Sequence, residues 1–186
     1  MTVPAELDRR FRESAVAEGL VDVGYDLADS PIGLLLVAAT DQGVCRVAFD
    51  PEPERELATL ARAFGTRVLR TPKPVEAVRR QLHEYFEGRR RAFELDLDLR
   101  ATPAFQQLVL HELAWVRYGE VDTYGGLAAK IGKPRAARAV GGALNRNPVP
   151  IVLPCHRIVG ASGSLVGYGG GLERKRALLE LEGAAI

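Results

Sequence analysis
The sequence predicts an α+β protein in two domains: an amino-terminal half combining a β hairpin with helices, and a mainly helical carboxy-terminal half. Three observations carry that expectation. Two β-like runs flank Asp41-Gln42-Gly43 in "GLLLVAATDQGVCRVAF", and apolar residues recur at helical spacing through much of the remainder. An alternating segment then breaks at Pro103, which puts the domain boundary near residues 95–102. The division expected is an arm or helix over 1–22, an α/β domain over 23–98 and a carboxy-terminal domain over 99–186. A chain of 186 residues is long enough to bury one or two cores.

The elements follow in order. The first twenty residues, with "LDRRFRESAVAEGL", are only weakly periodic and read as a loose helix or arm. The two runs around Asp41-Gln42-Gly43 form a hairpin, with Cys45 on its second strand as a small core residue. "PEPERELATLARAFG" opens with Pro and acids and carries Leu57, Leu60, Ala61 and Phe64 on one stripe, a helix. "KPVEAVRRQLHEYFEG" repeats that pattern through Val75, Val78, Leu82 and Phe86 and stops at Gly88. "RRRAFELDLDLRATP" alternates apolar and charged residues, as a strand leading into a linker would. "TPAFQQLVLHELAWVRYG" starts with Thr102 as N-cap and Pro103 in the first turn, and predicts a helix ending at Gly119.

"TYGGLAAKIG" and "KPRAARAVGGALNRN" are two short helices separated by a tight turn, the second bearing arginines, the pattern of a helix-turn-helix. Gly141 and Gly142 within the second helix each cost about 1 kcal/mol against alanine. Either another helix packs closely there, or the backbone approaches a nucleic-acid groove. A glycine-rich stretch then leads to a last helix over Leu172–Leu181.

Composition is that of a globular protein, 47% hydrophobic and 26% charged. No run approaches the ~18 apolar residues of a membrane span, and the start lacks a signal-peptide core. Two cysteines do not make a disulfide framework, so reduced thiols and the cytoplasm are expected. Charge is uneven. Residues 1–100 hold 15 Lys/Arg against 18 Asp/Glu, whereas residues 101–186 hold 10 against 6. From Thr123 to Leu172 there is no acid, while Lys130, Lys133, Arg135, Arg138, Arg146 and Arg157 all fall there. Such a window is either a solvated basic face or a surface for a polyanion.

The residues with chemistry sit in "PIVLPCHRIVG", read as a strand carrying Cys155 beside His156. With no CxxC and no HxxxH, and with His83 and His111 alone on helical patterns, no metal site is expected. No GxGxxG follows a strand and no GxxxxGK[ST] occurs, so no nucleotide cofactor is implied either. A free thiol has a pKa of about 8.5 and needs activation to act near neutrality. In an extended segment Cys155 and His156 would face opposite ways, so a turn after Pro154 or a bridging water is needed to couple them. On the residues alone Cys155 is equally a buried core thiol.

"NPVPIVLPCHRIVG", with "YGEVDTYGGLAAKIGKPRAARAVGGAL" before it and "GYGGGLERKRALLELEG" after it, resembles the O6-alkylguanine-DNA alkyltransferase family, the methylated-DNA–protein-cysteine methyltransferases. The resemblance is strongest from Thr102 to Gly183, weaker upstream, and does not cover the first twenty residues. It implies a ribonuclease H-like amino-terminal domain with an antiparallel sheet, followed by a DNA-binding and catalytic domain with a helix-turn-helix. It implies an irreversible, single-use transfer of an alkyl group from O6 of guanine, and also O4 of thymine, in duplex DNA to Cys155. His156 is then the base that takes the thiol proton through a water, Glu182 the carboxylate that orients it, and Asn147 the brace of the active-site turn. Arg138 enters the duplex to fill the gap left by the flipped base, with Ala137 and Gly141 on the same helix against the groove. Tyr124 turns the 3′ phosphate and protonates the departing guanine. Tyr168, Gly169 and Gly170 wall the base pocket, and backbone groups near Ile158 read the base.

The partner implied is double-stranded DNA containing O6-alkylguanine. A monomer acting without cofactor or membrane is expected, with cooperative binding along DNA left open. Two departures stand out. Val109-Leu110 replaces a Val-Trp common in the family, with Trp115 five positions later, which implies repacking between core helices. Cys45 is the only cysteine of its half, so the zinc site of some members is not expected. The rival readings are a non-enzymatic sensor of alkylated bases, which would lack the acceptor cysteine, a helix-turn-helix regulator, which would not need the Cys-His-Glu set, and a thiol hydrolase or redox enzyme, which would not need the basic helix pair.

Overall fold
The computed structural model describes residues 4–185. The chain divides into two units: one runs to His83 and takes in Leu95–Ala101, and the other holds Glu84–Glu94 and the chain from Thr102 onward.

In the first unit the predicted arm is a helix, α1 (Ala5–Ala17), with an exposed Glu6–Arg9 pair and a part-buried Asp8–Arg12 pair along it. Strands β1 (Val23–Ala28), β2 (Leu35–Thr40) and β3 (Gly43–Phe49) follow, then α2 (Pro53–Phe64) and β4 (Val68–Arg70). The hairpin is β2–β3, and Gly43 at its turn has φ +135°, a conformation that side chains rarely adopt. Strand order is β3-β2-β1-β4, and β4 runs parallel to β1, so the sheet is mixed where a wholly antiparallel one was expected. The chain reaches β4 through α2, and such a crossover allows the parallel pairing that a tight hairpin forbids. Val23, Leu36, Ala38, Cys45, Ala48 and Leu60 form the core cluster, so Cys45 is a core thiol. Burial pushes its pKa up to about 12. The strand expected over "RAFELDLDL" reduces to one bridge, Leu97 to Val44, and the buried Asp98 is held from β2, where Thr40 Oγ1 donates to it at 2.6 Å.

Helix α3 (Glu76–Phe86) leads to the second unit, which contains α4 (Ala104–Leu113), β5 (Asp122–Thr123), α5 (Tyr124–Lys130), α6 (Ala137–Asn145), β6 (Ile158–Val159) and α7 (Leu172–Leu181). Val109, Leu110, Leu113, Leu127, Val140, Leu144 and Leu178 are buried there. Helix α4 differs from expectation at both ends. Pro103, not Thr102, is its N-cap, without a side-chain cap, and the chain leaves the α-helix after Leu113 through tighter turns bonded Trp115 to Glu112 and Val116 to Leu113. Those turns leave Trp115 79% exposed, while Leu110 is buried. The helix pair α5–α6 is as predicted, with Thr123 capping α5 by accepting from the Gly126 N–H at 2.9 Å. Strands β5 and β6 pair in parallel, tying the start of α5 to the residues just after Cys155. Among the described residues no helix is long and apolar enough to cross a membrane.

Candidate active site
The chain between α6 and β6 is a folded turn, not the strand expected for "PIVLP". Asn147 organises it. Its Nδ2 donates to the Leu153 carbonyl at 2.8 Å and to Cys155 Sγ at 3.2 Å, and its Oδ1 accepts from the Val149 N–H at 3.1 Å. Ile151, buried and β-branched, sits at φ +74°, a strained position costing about 1–3 kcal/mol. Pro154 (φ −83°, ψ 60°) then lets the Cys155 N–H reach the Leu153 carbonyl, and Cys155–Arg157 form one 3₁₀ turn. A turn after Pro154 therefore replaces the extended geometry that would have set thiol and imidazole on opposite faces, spacing them about a third of a turn apart.

The thiol is 6% exposed. Burial pushes its pKa up to about 11, against the opposing hydrogen bond from Asn147, so at neutral pH it is held protonated. His156 is fully buried. Burial lowers its pKa, outweighing the opposite pull of Glu182. Its Nε2 lies 2.9 Å from Glu182 Oε1, while Nδ1 has no hydrogen-bond partner among the described residues. Burial alone would raise the pKa of Glu182, but hydrogen bonds from His156, Arg157 and Tyr85 hold it at about 2. Glu182 is thus an anion that can only accept. The shared proton sits on Nε2, and Nδ1 carries the bare lone pair of a base.

Glu182 caps α7. Its Oε2 accepts from Arg157 Nε at 2.8 Å and from the Gly119 N–H at 3.3 Å. Gly119 reaches it at φ +77°, where an added Cβ would stand 3.1 Å from the Glu182 carbonyl oxygen. Arg157 is the correction to the basic window. It is buried, it donates to both oxygens of Glu182 and to the Val116 carbonyl, and so it is no part of an exposed face. Lys133, Arg135, Arg138 and Arg146 are exposed, as is Lys130, which pairs with Asp122.

Of the other predicted residues, Tyr124 and Tyr168 lie within electrostatic reach of Cys155, and burial first, then that thiol, raises the pKa of both phenols. Tyr124, first in α5, donates its hydroxyl to the Val166 and Gly167 carbonyls, both at 3.0 Å. Arg138 projects from the first turn of α6, beside a half-buried Ala137. A Cβ on Gly141 would meet the Tyr124 ring at 3.6 Å, and one on Gly142 would meet Arg146 at 3.7 Å. Both are ordinary contacts, so packing within the chain does not require these glycines. Tyr168 is half-buried, and Gly169 lies where a Cβ would stand 3.0 Å from the Asn145 carbonyl. The Gly170 carbonyl accepts from Arg174 at 3.0 Å. The Ile158 carbonyl accepts from Lys175 Nζ at 2.5 Å, and that wholly buried lysine also donates to the Val166 carbonyl. Sequence reasoning missed Lys175, Arg157 and Tyr85. Among the described residues no group of three or more His, Cys, Asp or Glu is placed to hold a metal ion.

Two family profiles match the chain: the DNA-binding domain of 6-O-methylguanine DNA methyltransferase over residues 104–184, and its ribonuclease-like domain over 23–99. The methylated-DNA–protein-cysteine methyltransferase of Mycolicibacterium paratuberculosis is 43% identical over 163 residues, covering 86% of this chain and 92% of that protein. The protein of the same name from Methanosarcina barkeri is 40% identical over 158 residues, covering 85% and 96%. The crystal structure of Mycobacterium tuberculosis OGT in complex with DNA superposes with a TM-score of 0.76 at 42% identity, covering 86% of this chain and 92% of that one.

Proposed function
The chain belongs to the 6-O-methylguanine DNA methyltransferase family, and from that premise we propose that Cys155 takes an alkyl group irreversibly from the O6 of guanine in duplex DNA. The activity is that of a methylated-DNA–protein-cysteine methyltransferase, a direct-reversal repair in which each molecule acts once. The same chemistry extends to O4 of thymine. Residues 99–186 carry DNA binding and catalysis, residues 23–98 form the α/β domain, and 1–22 are an amino-terminal arm or helix, of which 1–3 lie outside the described residues. The protein works as a monomer in the cytoplasm, where reduced thiols persist.

The observation that carries this reading is the buried arrangement of Asn147 on Cys155 and Glu182 on His156. Sγ attacks the alkyl carbon, the bond from that carbon to O6 breaks, and the electron pair leaves with guanine. The thiol proton passes through a water to Nδ1 of His156, and Glu182 stabilises the imidazolium. With the thiol held up at about 11, proton loss is coupled to alkyl transfer, because a preformed thiolate is scarce. The departing guanine takes a proton from Tyr124, whose hydroxyl would leave the Val166 and Gly167 carbonyls to do so.

The base must leave the helix stack first, at a cost of a few kcal/mol. Arg138 fills the gap, and Ala137 and Gly141 present a low surface to the minor groove. Tyr168, Gly169, Gly170 and the backbone near Ile158 enclose and read the base.

The test is a duplex carrying labelled O6-methylguanine, with label followed on the wild type and on Cys155→Ala. One label per wild-type molecule and none on the variant is expected. Tight lesion binding without transfer by the wild type refutes the reading and leaves a damage sensor.

A further inference from the structure
Tyr85 comes from the last turn of α3, 97 residues before Glu182, and its hydroxyl donates to Glu182 Oε1 at 2.6 Å. The same oxygen receives His156 Nε2 at 2.9 Å and Arg157 Nη2 at 2.8 Å. A carboxylate offers about two lone-pair sites per oxygen, so three donors compete for Oε1. The Tyr85 hydroxyl cannot swing away. Its ring is wholly buried, edge-on to Phe86 and Tyr118 at 5.3 and 6.1 Å and tilted against Phe93 at 5.5 Å.

We propose that Tyr85 is a positioning residue for alkyl transfer: by donating to the Glu182 oxygen that receives His156, it fixes the carboxylate and tempers the base strength of the imidazole. This rests on the reading of Cys155 as acceptor and His156 as its base. An orienting carboxylate makes its histidine more basic in proportion to the charge it offers the ring. Every other donor on that oxygen withdraws part of that charge. The groups around the pair are Tyr85 on α3, Tyr118 and the Gly119 N–H after α4, Arg157 beside the histidine, and Lys175 on α7. Arg157 and Lys175 disfavour the imidazolium by their charge, and Glu182 favours it. Tyr85 acts with no charge of its own. Burial, reinforced by Glu182, holds its phenol far above the ordinary range, so it remains a donor throughout the working pH range.

The consequence is a histidine that stays neutral, with Nδ1 free, at a pH where a base on an untempered carboxylate would begin to be protonated. Loss of the Tyr85 donor should make Glu182 a stronger partner and raise the pKa of His156.

The experiment measures single-turnover benzyl transfer from free O6-benzylguanine to Cys155 across pH, in the wild type and in Tyr85→Phe. The acid limb of the variant's rate profile should move up by ~0.5–1 pH unit, with little change in the high-pH plateau. A uniform loss of rate at every pH, with the limb in place, overturns the proposal and leaves Tyr85 a packing residue. A second protein carries 3-fluorotyrosine at position 85, which keeps the ring and makes the hydroxyl a stronger donor. Its limb should move down, opposite to the phenylalanine variant. If Tyr85→Phe does not fold, this arm decides alone, and an unmoved limb overturns the proposal. Failure of the wild type to transfer the benzyl group would instead count against the repair reading itself.

Discussion
Replacing Glu182 with glutamine keeps the shape of the side chain, removes its charge and leaves Arg157 buried against a neutral amide. Two routes give the cost. The carboxyl sits at about 2 in the folded protein against an ordinary 4.5, a difference that corresponds to about 3 kcal/mol. Breaking a buried ion pair by removing one partner costs about 3–5 kcal/mol. The routes agree, so Glu182→Gln should lose about 3 kcal/mol near neutral pH, measured by urea unfolding. The sign with pH follows from the same shift. A carboxyl depressed in the folded state contributes its full stabilisation above pH 4.5 and loses it as pH falls toward 2. His156 adds to this, because its folded pKa lies below the ordinary 6.5 and the unfolded chain binds the proton first as pH falls. Wild-type stability should therefore decline from about pH 6.5 downward, and the variant should lack the Glu182 part of that decline. Adding Arg157→Met to the variant removes the stranded cation and should recover much of the loss. A single variant within about 1 kcal/mol of wild type, or a double variant as weak as the single, would refute the network as drawn.

Arg138→Ala should leave the reaction with free O6-benzylguanine unchanged but slow repair of duplex DNA by about tenfold or more, equivalent to ~1.4 kcal/mol of the extrusion cost. Equal losses on both substrates would remove Arg138 from base extrusion. Gly141→Ala should raise stability by about 0.5–1 kcal/mol in thermal unfolding, since its Cβ meets only ordinary contacts. The same change should weaken duplex binding, and an unchanged affinity would take the groove away from this helix face.

What the sequence discloses and what it hides divide along the range of the interactions. The hairpin at Asp41-Gln42-Gly43, the α5–α6 pair and the bounds of α7 rest on local turn chemistry and periodicity, and all are visible in the residues. Strand β1, "VGYDLA", does alternate, with Val23, Tyr25 and Leu27 all turned to the core cluster, but Gly24 and Asp26 have low strand propensity and weaken the signal. The alternation of "FELDLDL" is the converse case. It has the period of a strand, yet only Leu97 finds a ladder partner, Val44 at the start of β3.

The candidate site follows the same rule. Cys155, His156 and Glu182 can be named from their motif, but the residues that set their chemistry are polar side chains buried by tertiary contact. Arg157 reads as one more cation in a basic window, because arginine is seldom buried unless paired and its partner lies 25 residues away. The clue available was its place next to His156, with Glu182 the one acid the motif already required. Tyr85 offers no clue at all, since its partner is 97 residues off. A motif can therefore point to a candidate nucleophile and its base, while the pH at which that base works follows first from its burial, then from Glu182, Arg157 and Lys175, with Tyr85 proposed to temper Glu182.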